Sequence, residues 1–107
     1  SSVATTLGSP NTYVWYAASK GALDALTLGL GLEVAREGIR VVGVAAGLTD
    51  TDLHAAGGEP DRAKRLAAAI PLGRAAQPLD IAAAIVWLMS DAAGYCTATT
   101  LRVGGGR

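Results

Sequence analysis

The longest regular pattern in the chain predicts a helix over residues 13–36, built largely from Ala, Leu and charged residues. Gly38 follows at the position where glycine commonly ends a helix. The apolar residues of this segment go round most of the helix instead of keeping to one stripe. A helix that is apolar on all sides is normally covered on all sides. We therefore expect a sheet to cover part of it and another subunit to cover a further part.

Two apolar runs predict β-strands. Residues 39–46 lack polar alternation, a pattern typical of a parallel strand that is buried on both faces. A shorter run covers residues 99–103. The other predicted segments are a loop over 1–12, a polar loop over 47–60, a short helix over 61–69, a connector over 71–78, a helix over 79–90 and a flexible glycine tail over 104–107. The order helix, strand, helices, strand implies a parallel α/β layer, although two strands are too few to stabilise such a layer alone.

Composition and charge argue against several classes of function. The chain has 9 basic and 9 acidic residues, scattered along its length, so we expect neither a nucleic acid nor a membrane surface as partner. No uncharged apolar run approaches the length of a membrane span. Cys96 is the only cysteine and forms no internal disulfide, which fits a reducing, cytoplasmic location. The chain opens with neither an initiator Met nor a signal peptide, and we expect it to be part of a longer protein.

Tyr16 and Lys20 are the residues most suggestive of chemistry. They stand four positions apart in the predicted helix, so their side chains share a face. A phenol normally loses its proton near pH ~10, and a neighbouring ammonium favours the phenolate. Such a pair can exchange a proton with an alcohol or carbonyl oxygen, and the ammonium has further donors for a ribose hydroxyl. The same spacing also occurs by chance, so the bare pair is a weak motif.

The residues around this pair carry a more specific signal. Three segments closely resemble the active-site region of short-chain dehydrogenase/reductases: YAASKGA at 16–22, SS at 1–2 and LGSP at 7–10. Four segments further along the chain resemble the corresponding later segments of that family: EGIRV at 37–41, AGLTDT at 46–51, PLGR at 71–74 and IVWLMS at 85–90. The resemblance covers essentially the whole chain.

This resemblance implies a fold and an activity. Residues 1–107 would form the C-terminal part of a Rossmann-like, doubly wound parallel α/β sheet, and the N-terminal, cofactor-binding half would be absent. The activity implied is an NAD(P)-dependent oxidoreductase that interconverts an alcohol and a carbonyl compound, uses NAD or NADP and assembles as a homotetramer. The isolated 107 residues would be inactive, because they lack the Gly-rich turn that holds the pyrophosphate of the cofactor.

Carried over by position, the resemblance implies a catalytic set of Ser2, Tyr16 and Lys20. Tyr16 is expected to act as general acid/base, and Lys20 to favour its ionised form and to hold the nicotinamide ribose. Ser2 is expected to hydrogen-bond the reacting oxygen. Ser2 lies fourteen residues before Tyr16, and Ser1 is the less favoured choice for this role.

The resemblance also implies that residues 46–51 contact the nicotinamide or a nearby phosphate. The contacts would come from the backbone around Ala46, Gly47 and Thr49 and from the hydroxyl of Thr51. Ala46 stands where the family usually has Pro, which removes a fixed φ from this segment.

Several residues that attract a chemical interpretation are expected to be structural. Asp50, Asp52 and His54 are close in sequence, but no further His or Cys is near them, so we expect no metal site. Gly29 and Gly31 lie inside the predicted helix, where close helix packing is the favoured explanation.

The aromatic residues are also expected to be structural. We predict Trp15, Trp87 and Tyr95 to be packing residues, because no basic groove accompanies them, and Tyr13 to be structural too.

Two other functions compete with the oxidoreductase. One is a non-catalytic truncated remnant or interaction module of the same fold. The other is a sugar-nucleotide epimerase or dehydratase, which shares the Tyr-Lys pair. The Ala18-Ser19 dipeptide between the pair and the short downstream part argue against the second. Substrate choice is expected to depend on the loop over residues 48–70.

Overall fold

The computed structural model describes residues 1–52 and 56–107. Within these ranges the sheet has two parallel strands, β1 (Val42–Ala46) and β2 (Thr99–Val103). The register pairs Val42 with Thr99 and Ala46 with Val103. Parallel neighbours need a long crossover connection, and here it contains helices. The predicted α/β class with a parallel layer is therefore confirmed.

Four α-helices lie in the described part of the chain: α1 (Ala4–Leu7), α2 (Val14–Val34), α3 (Arg62–Leu66) and α4 (Pro78–Met89). Tighter helical turns extend α2 over Ala35–Glu37, extend α3 over Ala67–Ala69 and follow α4 over Asp91–Ala93. The predicted helices over 13–36, 61–69 and 79–90 are thus confirmed within one or two residues at each end.

The C-terminal end of α2 is determined locally, as predicted. Gly38 has a φ of 76°, and its N–H donates to the carbonyl of Ala35 at 3.1 Å. A left-handed conformation costs glycine little because it has no Cβ. This explains why the helical segment stops there.

One side of α2 packs against the sheet through small and polar residues. Asp24 accepts a hydrogen bond at 3.1 Å from the hydroxyl of Thr100 on β2. Gly31 is buried, and a Cβ placed on it would lie 2.6 Å from the Cα of Ala98, so only glycine allows this approach. Close packing is confirmed at Gly31, whereas Gly29 has nothing within 4 Å of its Cβ position.

Large apolar side chains on several other sides of α2 stay uncovered by the described residues. These exposed apolar side chains are Val14, Trp15, Leu23, Leu26, Leu28, Leu30 and Leu32. The expectation that the sheet covers part of the helix is confirmed. The other part has no cover among the described residues.

The first turn of α4 forms a capping box. The carboxylate of Asp80 accepts the N–H of Gln77 at 2.8 Å and the guanidinium of Arg74 at 2.7 Å. The hydrogen bond from Arg74 and then the one from Gln77 lower the pKa of Asp80 from 3.8 to about 2. Pro78 is the first residue of the helix, where its missing N–H costs nothing.

The start of the first strand was predicted too early. β1 begins at Val42, not at residue 39, because the chain before it is bound to a loop instead of a strand. The N–H of Val41 donates to the Thr97 hydroxyl at 3.1 Å, and the Arg40 guanidinium reaches three carbonyls near the end of α4. Strand β1 is also not buried on both faces within the described residues. Only Ala45 is buried, and the other residues of the strand are half-buried.

Both ends of the chain are more ordered than predicted. The segment 1–12 contains helix α1, and Ser2 forms a parallel bridge with Ala46. The glycine tail is a packed turn: Leu72 donates its N–H to the Gly105 carbonyl at 3.1 Å, and a Cβ on Gly106 would lie 2.9 Å from Pro71. The predictions of a simple loop and of a flexible tail are therefore wrong.

Candidate active site

Tyr16 and Lys20 lie on consecutive turns of α2 and share one face. The Lys20 ammonium lies 5.4 Å from the centroid of the Tyr16 ring, and both side chains are half-buried. Neither the Tyr16 hydroxyl nor the Lys20 ammonium makes a hydrogen bond or ion pair with residues 1–52 or 56–107. The predicted pairing is confirmed, and both polar ends are free to bind another molecule.

Aromatic rings line the start of α2 beside this pair. The Trp15 ring makes edge-on contacts with Tyr13, at 6.1 Å between centroids, and with Tyr16, at 6.2 Å. Trp15 is nevertheless 70% exposed, and Trp87 and Tyr95 also lie at the surface. Trp15 thus packs against neighbouring rings at the surface, as predicted in part, whereas the fully exposed Tyr95 is not a packing residue among the described residues. Tyr13, predicted to be structural, is half-buried and contacts Arg62 and Glu59.

The segment Ser1–Val3 contacts both β1 and α2, and so relates the two serines to the Tyr-Lys pair. Val3 donates its N–H to the Ala46 carbonyl at 3.0 Å, and Ala46 donates its own to the Ser1 carbonyl at 3.4 Å. The Ser1 hydroxyl donates to the Lys20 carbonyl at 3.4 Å. Ser2 therefore lies beside the carboxyl end of β1, where ligands of open parallel sheets bind.

The two serine hydroxyls differ in what they bind. The Ser2 oxygen accepts the N–H of Ala4 at 3.1 Å, which leaves the hydroxyl proton available to donate. The Ser1 hydroxyl instead donates to the backbone of α2. This difference favours Ser2 over Ser1 as the donor to a reacting oxygen.

The loop after β1 is largely occupied with internal contacts. The N–H of Gly47 donates to the Val103 carbonyl at 2.8 Å, and a Cβ on Gly47 would lie 2.6 Å from the Cα of Gly104. The Thr49 hydroxyl donates to the Gly47 carbonyl at 3.0 Å, and Thr49 pairs with Ala76 in a parallel bridge. Of the four predicted contact residues Ala46, Gly47, Thr49 and Thr51, only Thr51 is exposed.

The described residues form no group of three or more His, Cys, Asp or Glu side chains able to hold a metal ion. Asp50 and Asp52 are exposed, and His54 lies outside the described residues. No helix in the described ranges is long and apolar enough to cross a membrane.

Comparison with known proteins identifies the family. Residues 1–107 match the protein family described as enoyl-(acyl carrier protein) reductase. The chain belongs to the short-chain dehydrogenase/reductase family. The same conclusion follows from similarity to an oxidoreductase of Escherichia coli K12, uncharacterized oxidoreductase YgfF, which is 54% identical over 107 residues. That alignment covers 100% of this chain but 43% of the relative.

Solved structures of this family share the fold of the chain. An NADPH-bound short-chain oxidoreductase of Pseudomonas aeruginosa PAO1 has a TM-score of 0.85 and 31% identity, covering 98% of this chain and 42% of that one. A blue fluorescent protein from a metagenomic library, in complex with NADPH, has a TM-score of 0.86 and 30% identity with the same coverage. The chain therefore spans less than half the length of these family members and corresponds to the C-terminal part of their Rossmann-like fold.

Two sets of contacts, one of them beside the site, are not indicated by any sequence motif. Arg40 binds the end of α4, and Glu59 contacts Tyr13 at the start of α2. Both contacts join residues more than forty positions apart in the sequence. Only an alignment with co-varying positions would have revealed them from sequences.

Proposed function

We propose that this short-chain dehydrogenase/reductase is an NAD(P)-dependent oxidoreductase that interconverts an alcohol and a carbonyl compound, with Tyr16 as the general acid/base. The observation that carries the proposal is the Tyr16–Lys20 pair, with the ammonium 5.4 Å from the ring and both polar ends without a partner among residues 1–52 and 56–107. A phenol beside a cation can both accept and donate a proton at a substrate oxygen.

Each member of the catalytic set has its own task. In the oxidative direction Tyr16 accepts the hydroxyl proton of the substrate, and in the reductive direction it returns a proton to the carbonyl oxygen. The Lys20 ammonium places a positive charge beside the Tyr16 ring and holds the nicotinamide ribose. Ser2, whose oxygen already accepts the Ala4 N–H, donates its hydroxyl proton to the substrate oxygen and so stabilises charge there.

The residues present fit the ribose end of a nicotinamide cofactor. The Lys20 ammonium has uncommitted donors one helical turn from Tyr16, and ribose hydroxyls are suitable acceptors. When bound, a nicotinamide ring supplies or accepts the hydride. The NADPH found in two structural neighbours supports this cofactor class, and NAD or NADP is proposed for this protein.

The loop from Ala46 to Thr51 is proposed to border the cofactor. Gly47 and Thr49 use their donors internally, so their part is to hold the backbone in place. Thr51 is exposed and offers a hydroxyl to the carboxamide or a phosphate. Residues 1–107 would then be the C-terminal part of the functional domain, with the pyrophosphate-binding turn provided by other residues.

The uncovered apolar side chains of α2 support a homo-oligomer, most simply a tetramer. Five leucines on this helix are between 39% and 66% exposed, and together they would be costly to leave in water. A second copy of the protein is the proposed cover for the part of this surface that the rest of the longer protein leaves open, because closed symmetric assemblies are the commonest oligomers.

Tyr16→Phe tests the proposed function. It keeps the ring but removes the proton donor, so kcat should fall about a hundredfold or more, the scale of positioned acid/base catalysis. The assay follows nicotinamide absorbance with a panel of secondary alcohols and their ketones, each with NAD and NADP, on the protein that carries these residues. Tyr95→Phe makes the same change at a fully exposed ring and should leave kcat unchanged.

Turnover of Tyr16→Phe at the rate of the parent would refute the assignment. Absence of turnover by the parent with every member of the panel, together with no binding of either cofactor, would favour the non-catalytic alternative.

A further inference from the structure

A second set of contacts lies beside the candidate active site and joins the loop over residues 48–70 to the start of α2. The Tyr13 hydroxyl donates to a carboxylate oxygen of Glu59 at 3.4 Å, across 46 positions of sequence. The Arg62 guanidinium lies 5.3 Å from the centroid of the Tyr13 ring, within cation–π range. One tyrosine thus contacts both an acidic and a basic residue of the distant loop.

The Glu59 carboxylate organises this set, which we call the Glu59 cluster: Tyr13, Glu59, Arg62 and Arg65. Arg62 donates to the same oxygen that accepts from Tyr13, at 2.9 Å, and Arg65 donates to the other oxygen. The hydrogen bond from Arg65, followed by the charge and hydrogen bond of Arg62, keeps the pKa of Glu59 below its ordinary value. The carboxylate therefore stays ionised and able to accept all three donors at neutral pH.

Both sides of the cluster are firmly held. Tyr13 precedes the first residue of α2, donates its N–H to the Ser9 carbonyl at 3.0 Å and accepts the N–H of Ala17 at 3.0 Å. On the loop side, Ala63 and Ile70 are buried, at 3% and 4% exposure. The cluster consequently joins two fixed backbone segments instead of two mobile side chains.

The position of the cluster relative to Tyr16 gives it a chemical consequence. Tyr13 lies three residues before Tyr16, and the ring of Trp15 touches both. The cluster therefore holds residues 59–66 next to the start of the helix that carries the proposed acid/base. A change that weakens substrate binding equally in the ground state and the transition state raises KM and leaves kcat unchanged.

We propose that Tyr13 and Glu59 are positioning residues for the substrate: their contact holds residues 59–66 against the start of α2 and so shapes the substrate side of the site. The proposal rests on the proposed function, since it takes residues 48–70 as the substrate loop. It assigns specificity to two residues that need not touch the cofactor.

Limited trypsin digestion tests the contact independently of any activity, because Arg62, Lys64 and Arg65 are cleavage sites in the segment itself. Tyr13→Phe removes only the hydroxyl and keeps the ring beneath Arg62. Cleavage after these three residues should become about three to ten times faster, the effect expected from losing one hydrogen bond of ordinary strength. Tyr95→Phe, at a fully exposed ring, is the matched control and should be cleaved at the parental rate.

Steady-state kinetics on the protein that carries these residues tests the role. Tyr13→Phe and Glu59→Gln should raise KM for the alcohol about three- to tenfold and leave kcat and the KM for the cofactor within about twofold. The double variant should show less than the summed effect, because both changes break one contact.

Each outcome decides a separate point. Parental cleavage of Tyr13→Phe would overturn the contact. Faster cleavage with an unchanged KM for the alcohol would overturn the positioning role. An active Tyr16→Phe variant would overturn the proposed function and with it the substrate role, while the digestion result still judges the contact.

Discussion

Replacing Arg40 with Ala should destabilise the protein more than any other single change at its charged surface residues. The guanidinium donates to the carbonyls of Leu88 at 2.9 Å, Cys96 at 3.2 Å and Ser90 at 3.3 Å. Leu88 and Ser90 belong to the end of α4, where carbonyls have no partner within the helix. One side chain therefore binds the end of a helix and the loop that leads into β2.

The magnitude follows from the number of bonds and their burial. A hydrogen bond contributes about 1 kcal/mol net, and one to a charged group somewhat more. Arg40 is half-buried, so solvent replaces part of each bond when it is removed. We therefore expect Arg40→Ala to lower the free energy of unfolding by about 3 kcal/mol, a large share of a typical total of about 5–15 kcal/mol. Arg40→Lys keeps the charge but cannot span the three carbonyls, and should restore only about 1 kcal/mol.

Urea denaturation followed by circular dichroism measures these differences, with unchanged m-values as the condition for comparing them. Arg36→Ala is the control, because Arg36 is exposed and makes no hydrogen bond or ion pair within the described part of the chain. It should change the free energy of unfolding by less than about 0.5 kcal/mol. An Arg40→Lys variant as stable as the parent would refute the argument, since it would show that charge alone, not the shape of the guanidinium, is what matters.

Two further predictions concern the uncovered apolar side chains of α2 and the start of α4. Leu28 is 53% exposed, and Leu28→Glu should give a smaller species in sedimentation velocity. An oligomer of unchanged size would contradict the proposed interface. The pKa of Asp80 is lowered from 3.8 to about 2, so its contacts stabilise the fold above pH 3.8 and are lost as the pH falls toward about 2. Asp80→Asn should flatten the loss of stability across this window in acid-denaturation curves, and an equally steep loss would show that other carboxylates, such as Glu59, dominate it.

The helix ends and strands that depend only on residues nearby in the sequence are predictable from it. Gly38 ends the helical segment of α2 because its own left-handed conformation stops it, and Pro78 begins α4 because its missing N–H is harmless there. The strand Thr99–Val103 was placed with the observed bounds. Each of these depends on propensities and caps within a few residues, which a single sequence contains.

Three segment predictions fail where the decisive partner is distant in sequence. The local pattern puts the start of β1 too early because Val41 binds Thr97, and it does not show that the glycine turn packs on Pro71 and Leu72. It also predicts a plain loop over residues 1–12, although Ser2 pairs with Ala46. A strand edge or a packed turn is defined by its neighbour, and the neighbour is not visible in a local pattern.

The candidate site divides in the same way. The shared face of Tyr16 and Lys20 follows from their spacing on a helix, and the surrounding residues identify the family. Ser2 is favoured over Ser1 by its position fourteen residues before Tyr16, and the structure adds that the Ser1 hydroxyl donates to the backbone of α2 while the Ser2 oxygen accepts the Ala4 N–H. The contact of Glu59 with Tyr13 likewise joins a loop to a helix 46 residues away.

By itself, the sequence determined that α2 is a helix, that it carries Tyr16 and Lys20 on one face, and which family the chain resembles. Only the tertiary structure decided which side of α2 meets the sheet. Asp24, Thr27 and Gly31 face the strands, because the two backbones approach so closely that larger side chains would collide. The leucines, which are distributed over the other sides of the helix, stay between 39% and 66% exposed within the described residues. The hydrophobicity of a helix shows that other groups must cover it. The space available at each contact decides which side of the helix packs against the sheet.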